Sequence, residues 1–290
     1  MHSAYSSDSD TPMQNMIEQA IQLHLKEICF TDHMDFDYPK VCLEKDTNGN
    51  DYYLDFLFDV TQYIKQIASF REQYQSKINI ATGIELGLQS HIVPQVKELM
   101  ENNSFDFVIG SSHLLYGDDP YYEHFWNQLK RDNEFSSEEK LVQHAIRDYF
   151  TEIHQNVQRF PWFQVYGHLD YIVRYAPQKG HYYHPFDYMD IIEEILKDLI
   201  QSGRGIELNT SGLKSGLAFA NPHMDILKRY KELGGEIITV GADAHTTEYI
   251  GYKFNKASEM LLSAGFSYYT TFHHQLPSFH KLIYSNFALE

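Results

Sequence analysis

A carboxylate and an imidazole stand two positions apart just after an apolar stretch near residue 240. Residues 237–240 are β-branched and largely apolar, which is typical of a buried parallel strand, and Asp243 and His245 follow a glycine. Side chains two apart in an extended chain point to the same side, so this pair leaves the strand end together. The geometry suits two metal ligands, although a strand that ends in a polar loop would show the same pattern.

The same ending recurs along the chain, and this recurrence favours a metal site. Apolar runs are followed by one or more imidazole or carboxylate side chains, namely His33, Glu85, His113, His168, Asp243 and His245. His2 and Asp8, near the start of the sequence, are two further candidates. If the strands are parallel and form a barrel, their carboxyl ends open at one mouth, so these side chains are expected to converge there. Mixed imidazole and carboxylate ligands suit zinc, manganese or iron.

The elements that would position these residues alternate between strand and helix over the whole chain. Strands are predicted at 27–31, 78–84, 105–109, 163–166, 205–209 and 237–240, with a weaker one at 266–271. Helices are predicted from Thr11-Pro12 onward and at 55–74, 93–100, 136–160, 186–201, 224–233 and 255–264. Residues 34–54 and 114–135 are predicted as long loops. About six or seven such units, with no linker, predict one α/β domain over residues 1–290, as a barrel rather than an open sheet.

Composition narrows the class of protein further. The chain has 290 residues and a net charge of −17, which argues against nucleic acid or an anionic membrane as a partner. No apolar run is long enough to span a membrane, and no signal peptide is visible. Two cysteines, Cys29 and Cys42, give no disulfide framework and fit a reducing cytoplasm. Nothing in the sequence indicates the oligomeric state.

These motifs, in this order, resemble the PHP (polymerase and histidinol phosphatase) superfamily of metal-dependent phosphoesterases, and most closely its histidinol-phosphate phosphatase branch. The segments that carry the resemblance are Met1-His2-Ser3, Thr31-Asp32-His33, Gly83-Ile84-Glu85, Ser111-Ser112-His113, Gly167-His168-Leu169-Asp170-Tyr171 and Asp243-Ala244-His245. Each motif is short and weak alone, but their order and spacing together are specific. The resemblance covers essentially the whole chain and implies a distorted (β/α)7 TIM-like barrel.

The resemblance also implies how two or three divalent ions (Zn, Mn or Fe) would be bound. One ion would take His2, Glu85 and Asp243; a second would take Glu85, His113 and His168; a third would take Asp8, His33 and His245. In the family pattern a further His stands two residues before His2, so one site is expected to lack a ligand.

The chemistry expected of such a centre is phosphomonoester hydrolysis. A hydroxide that bridges two metals is a strong nucleophile at neutral pH, and the same metals neutralise the phosphoryl oxygens. The candidate catalytic residues are Glu85, which would bridge two metals, Asp243, and His245 of the third site. Asp243 or water on the third metal would protonate the leaving alkoxide, and the sequence does not choose between them.

The substrate-binding candidates are Arg174, Asn209 and Lys214. Arg174 lies shortly after His168 and would bind the phosphate of a substrate. The alternative is an arginine that is exposed on the surface. Asn209 would orient neighbours near the metals, and Lys214 would meet phosphate. The acidic, aromatic segments around Asp35 and residues 116–126 would form a lid for a substrate with a cationic end, or else a solvated loop.

The sequence therefore predicts a cytoplasmic, metal-dependent phosphatase that converts L-histidinol phosphate to L-histidinol and phosphate in histidine biosynthesis. Two alternatives stay open. One is a PHP phosphoesterase acting on another small phosphoester, and the other is a metal-binding protein whose catalysis is impaired by the incomplete first motif.

Overall fold

Parallel strands form the centre of the molecule. The computed structural model describes residues 1–40, 42–45 and 51–282. The strands are β1 (Glu27–Phe30), β2 (His33–Met34), β3 (Cys42–Lys45), β4 (Asp51–Tyr53), β5 (Asn79–Gly87), β6 (Phe107–Ser111), β7 (Val165–Tyr166), β8 (Gly205–Asn209), β9 (Ile238–Gly241), β10 (Tyr268–His273) and β11 (Leu276–Lys281). Within the described part, one seven-stranded sheet runs in the order β1-β5-β6-β7-β8-β9, with β2 also pairing with β5. All its pairings are parallel, and the sheet curls into a half-barrel, consistent with the predicted TIM-like barrel.

The first three residues lie between the carboxyl ends of the two edge strands. The backbone N–H of Thr31, just after β1, donates to the carbonyl oxygen of Met1 at 2.9 Å. On the other side, the N–H of His2 donates to the carbonyl oxygen of Ala244, after β9, also at 2.9 Å. The N-terminal segment therefore bridges β1 and β9 at the end where the predicted ligands lie.

Helices cover the outside of this sheet. They are α1 (Met13–Gln22), α2 (Val60–Tyr74), α3 (Val93–Asn102), α4 (Glu123–Asp132), α5 (Glu138–Arg159), α6 (Met189–Gln201), α7 (Ser211–Lys214), α8 (Met224–Glu232) and α9 (Phe254–Ser263). The longest, α5, starts at the cap Ser137, whose side chain accepts from the N–H of Lys140, and it buries Ala145, Tyr149 and Ile153 at helical spacing. Burial of such apolar stripes stabilises the packing of the helices on the sheet. No helix in the described ranges has the length and apolar character needed to cross a lipid bilayer.

Three local expectations were wrong. The predicted loop at 114–135 contains α4, which is stabilised by burial of Phe125, Trp126 and Leu129 rather than by helix propensity. The predicted loop at 34–54, part of which lies outside the described residues, contains the β3–β4 pair.

The third wrong expectation concerns the last strand. The segment predicted as a final barrel strand is β10, which instead pairs antiparallel with β11. The connecting residues His274 and Gln275 both have positive φ, as a two-residue hairpin turn requires.

Candidate metal centre

All eight residues predicted as ligands lie at the carboxyl ends of the strands. His33 lies past the end of β1, as the first residue of β2, and Glu85 lies near the end of β5. His113 and His168 each lie two residues past the end of a strand, β6 and β7 respectively. The others come from the N-terminal segment or from the loop after β9, and they are His2, Asp8, Asp243 and His245. The parallel sheet thus brings residues far apart in the chain to one place.

The carboxylate of Glu85 lies at the centre of this cluster. Its Oε1 is 3.0 Å from His113 Nε2 and 3.1 Å from His168 Nε2. Its Oε2 is 3.6 Å from His2 Nε2 and 3.9 Å from His33 Nδ1. One buried carboxylate is therefore surrounded by four imidazoles, as expected for a group that bridges two cations.

A second group of contacts connects Asp243 and Asp8. Asp243 Oδ1 lies 3.2 Å from His2 Nε2 and 3.8 Å from His245 Nδ1. Asp8 Oδ2 lies 3.0 Å from His245 Nε2 and 3.8 Å from His33 Nε2. The rings of His2 and His33 stack at a centroid distance of 4.1 Å, and those of His2 and His245 at 4.2 Å.

The donor set fits divalent metal ions. Two sets of ligand atoms lie within 4.8 Å of one another, and they are His2, His33, Asp243 and His245, and His33, Glu85 and His113. In the described part of the chain, His33 Nδ1 is buried without a hydrogen-bond partner. A buried polar atom without a partner is costly, and coordination would satisfy it.

These sets differ from the three ligand trios that the resemblance implies. His33 belongs to both sets, whereas Asp8 and His168 belong to neither. Even so, each implied trio contains contacts at 3.0 to 3.8 Å between its imidazoles and its carboxylates. The assignment of ligands to individual ions stays a prediction.

The electrostatics of the cluster favour metal-binding forms of Glu85, Asp243 and His2, whereas, despite burial, Asp8 raises the pKa of His245 to about 9, so that this ring must lose a proton to bind a metal. Burial opposes the charge on Glu85 and Asp243, yet the surrounding imidazoles hold the pKa of each carboxyl well below its usual range. For His2, burial and then the neighbouring His33 and His245 lower the pKa, so that its ring is neutral. Anionic carboxylates and neutral imidazoles are the forms that bind metals.

Asp35 is a site residue whose role sequence reasoning missed. Its Oδ2 lies 2.6 Å from His113 Nδ1, and both side chains are buried. Burial alone would lower the pKa of His113, but Asp35 and Glu85 raise it well above the usual value. Gly87 makes room for this contact, because a Cβ there would overlap the Asp35 carboxylate. A signal was present in the sequence, since Asp35 stands two positions after His33.

Buried hydrogen bonds also fix the N-terminal segment that carries His2. Asp32 Oδ1 accepts from the N–H of Ser3 at 2.5 Å and from the hydroxyl of Ser6 at 3.1 Å. Burial raises the pKa of the Asp32 carboxyl, and the bonds from Ser3 and Ser6 counter this shift. Asp32 therefore anchors the segment from which both His2 and Asp8 project.

The predicted substrate-binding residues lie beside Asp243. Arg174 is 1% exposed, so the alternative of a surface arginine is wrong. Its three nitrogens donate to Asn221 Oδ1 (2.6 Å), Asp243 Oδ2 (3.1 Å) and Asn209 Oδ1 (3.0 Å). Lys214 is half-buried, with Nζ 4.4 Å from the centre of the Tyr249 ring. Burial lowers its pKa, which nearby Asp243 partly offsets.

Comparison with known protein families identifies the chain. The family model described as the PHP domain matches residues 1–211. The chain belongs to this family. The histidinol-phosphatase of Lactococcus lactis is 30% identical over 276 residues, which cover 93% of this chain and 92% of that protein. A probable histidinol-phosphatase of Clostridium acetobutylicum is also 30% identical, over 90% of each chain.

A solved structure of a PHP relative shows the same architecture. The crystal structure of histidinol phosphate phosphatase from Lactococcus lactis, in complex with zinc, L-histidinol and phosphate, superposes with a TM-score of 0.78 at 28% identity. The match covers 96% of this chain and 97% of that one. The predicted family and fold are therefore confirmed.

Proposed function

We propose that the protein is a metal-dependent phosphomonoesterase that hydrolyses L-histidinol phosphate to L-histidinol and phosphate. The observation that carries the proposal is the Glu85 carboxylate, surrounded by four imidazoles at the strand ends. Support comes from the two relatives, a histidinol-phosphatase and a probable histidinol-phosphatase, each of which matches at least 90% of this chain. In this proposal the chain forms one domain over residues 1–290 and works in the cytoplasm, where the free thiol of Cys29 would stay reduced.

The proposed cofactors are two or three divalent ions, with zinc as the first candidate because the Lactococcus lactis structure contains it. The proposed ligands are His2, Asp8, His33, Glu85, His113, His168, Asp243 and His245. When bound, such ions supply Lewis acidity to the phosphoryl oxygens and a water of lowered pKa as nucleophile.

The protein's own residues fix and charge the site in this proposal. Arg174 donates to Asp243 Oδ2, which keeps that carboxylate ionised and oriented. The positive charges of Arg174 and Lys214 lie near Asp243, where they would attract a phosphate dianion. Because Asp243 is held ionised, it carries no proton to give, and water held by the third ion would be the better of the two candidates for protonating the leaving alkoxide.

An acidic and aromatic wall beside the metal ligands suits the organic part of this substrate. Asp119 is 5% exposed, and its Oδ2 accepts from the Tyr38 hydroxyl at 2.6 Å while its Oδ1 accepts from the N–H of Tyr121 at 2.8 Å. The ring of Tyr171 contacts both His113 and His168. A carboxylate flanked by aromatic faces attracts an ammonium or imidazolium group, both of which L-histidinol phosphate can present.

Phosphate release by metal-stripped and zinc-reconstituted protein tests the proposal. With zinc, we expect turnover of L-histidinol phosphate to exceed that of a sugar phosphate or a nucleoside monophosphate, and the stripped protein to be inactive. Preference for another ester would support the alternative phosphoesterase. Equal turnover with and without metal would reject the metal-dependent mechanism.

A further inference from the structure

Strand β8 carries a buried carboxylate that the proposed ligand set does not use. Glu207 lies in the middle of β8 and is 5% exposed. Its Oε2 accepts from the backbone N–H of His168 at 3.3 Å and from Nδ2 of Asn209 at 3.1 Å. This side chain therefore contacts the backbone of a proposed ligand at the end of the neighbouring strand β7.

The contacts of Glu207 extend to a second ligand on the opposite side of β8. Asn209 Oδ1 accepts from Arg174 Nη2 at 3.0 Å, and Arg174 Nη1 donates to Asp243 Oδ2 at 3.1 Å. The amide of Asn209 is oriented by this pattern, because Nδ2 must donate to Glu207 for Oδ1 to accept from Arg174. A continuous chain of hydrogen bonds thus leads from Glu207 to the carboxylate after β9.

Both ligands reached by this network have an unfavourable backbone conformation. The φ angle is +22° at His168 and +52° at Asp243. Residues with a Cβ adopt the left-handed region rarely, and they stay there at functional sites because surrounding contacts hold them. Hydrogen bonds from neighbouring elements to these two residues therefore help to hold their side chains in place.

A glycine at the end of the flanking strand β9 makes space for the Glu207 carboxylate. A Cβ at Gly241 would overlap Glu207 Oε1. Gly241 is also the register partner of Asn209 between β8 and β9. The backbone of β9 is thus shaped to admit a carboxylate beside it.

We propose that Glu207 is a positioning residue of the metal centre. It holds the backbone of His168 directly and the carboxylate of Asp243 through Asn209 and Arg174. For this role, Oε2 of Glu207 must accept hydrogen bonds from the N–H of His168 and from Nδ2 of Asn209. This inference rests on the metal-dependent function proposed above and adds a residue outside its ligand set.

The test measures zinc affinity, by competition with a chromogenic chelator, and kcat and KM for L-histidinol phosphate. Glu207→Leu removes the acceptor, and Glu207→Asp keeps the charge but withdraws the oxygen by about 1.5 Å. We expect both variants to bind zinc at least about tenfold more weakly and to lose kcat more than they change KM. Glu207→Gln can accept both bonds through its amide oxygen, so its zinc affinity should stay within about threefold of the wild-type value.

Thr239→Val is the matched control. Thr239 is the buried register partner of Glu207, and its hydroxyl has no hydrogen-bond partner among the described residues, so the variant should bind zinc like wild type.

If Glu207→Leu does not fold, Glu207→Asp provides the same comparison. Zinc affinity of Glu207→Asp equal to that of Thr239→Val, or Glu207→Gln as impaired as Glu207→Asp, would overturn the inference. Wild-type protein that binds no zinc would reject the proposed function as well, whereas unaffected variants of a zinc-binding wild type reject only the role of Glu207.

Discussion

The contact between Asp35 and His113 gives the sharpest prediction about the metal centre. The 2.6 Å hydrogen bond joins Asp35 Oδ2 to His113 Nδ1, so Nε2 of the ring is left to face Glu85 and a metal. A hydrogen bond to a charged group contributes about 1.5–3 kcal/mol, which corresponds to about 10- to 150-fold in an equilibrium constant. Loss of a carboxylate that orients a metal-binding histidine typically costs about 10- to 100-fold in metal affinity or activity.

We therefore expect Asp35→Ala to weaken zinc binding and lower kcat/KM by about 10- to 100-fold. Asp35→Asn should lose less, about threefold to tenfold, because its amide oxygen still accepts from Nδ1. Gly87→Ala should reproduce much of the Asp35→Ala defect by a second route, since the added Cβ must displace the Asp35 carboxylate. The assays are chelator competition for zinc and steady-state phosphate release.

A matched control lies two residues further along the chain. Asp37 pairs with His91 at 3.2 Å, but both side chains are more than half exposed, and an exposed pair contributes little. Asp37→Ala should therefore keep wild-type zinc affinity and kcat/KM. The reasoning would be refuted if Asp35→Ala and Asp37→Ala were indistinguishable in both assays.

Two other residues give separate predictions. Arg174→Met should lower the free energy of unfolding by about 3 kcal/mol in urea denaturation, because it leaves the Asp243 carboxylate and Asn221 Oδ1 without their guanidinium donor. A change below about 0.5 kcal/mol would contradict the buried pairing. Burial raises the pKa of Asp119 to about 6, so its carboxylate is charged above that pH and neutral below it. KM for L-histidinol phosphate should therefore rise as the pH falls below about 6, and Asp119→Asn should raise KM about tenfold at pH 7.5 and remove this pH dependence. Hydrolysis of 4-nitrophenyl phosphate, which carries no ammonium group, should show neither effect, and an equal KM increase for both esters would refute a role for Asp119 in binding the cation.

Most of the architecture was predictable because it follows from local patterns. Strands buried on both faces appear as short β-branched runs, so each of β1, β5, β6, β7, β8 and β9 overlaps a predicted strand. The convergence of the polar residues after them follows from the parallel direction of the strands. What the sequence could not show was α4, whose helix is formed by tertiary burial of a few aromatic and apolar side chains within a polar segment.

The candidate site was predictable in its residues but less so in its contacts. The proposed ligands were found because they follow predicted strands. Asp35 and Glu207 instead contact residues that lie 78 and 39 positions away in the sequence. Arg174 shows the same limit, because neither spacing nor residue type distinguishes a buried, triply bonded guanidinium from an exposed one. Such contacts depend on three-dimensional packing. The traces they leave in the sequence are the position of Asp35, two residues after His33, and the glycines that make space for the two carboxylates, Gly87 and Gly241.

Crystals of zinc-loaded protein, measured at the zinc absorption edge, test the central claim most directly. Anomalous peaks are expected about 2.0–2.2 Å from the Glu85 carboxylate and from imidazole nitrogens that surround it, with at least two peaks in the cluster. Zinc bound elsewhere on the molecule, with no anomalous peak beside Glu85, would contradict the account.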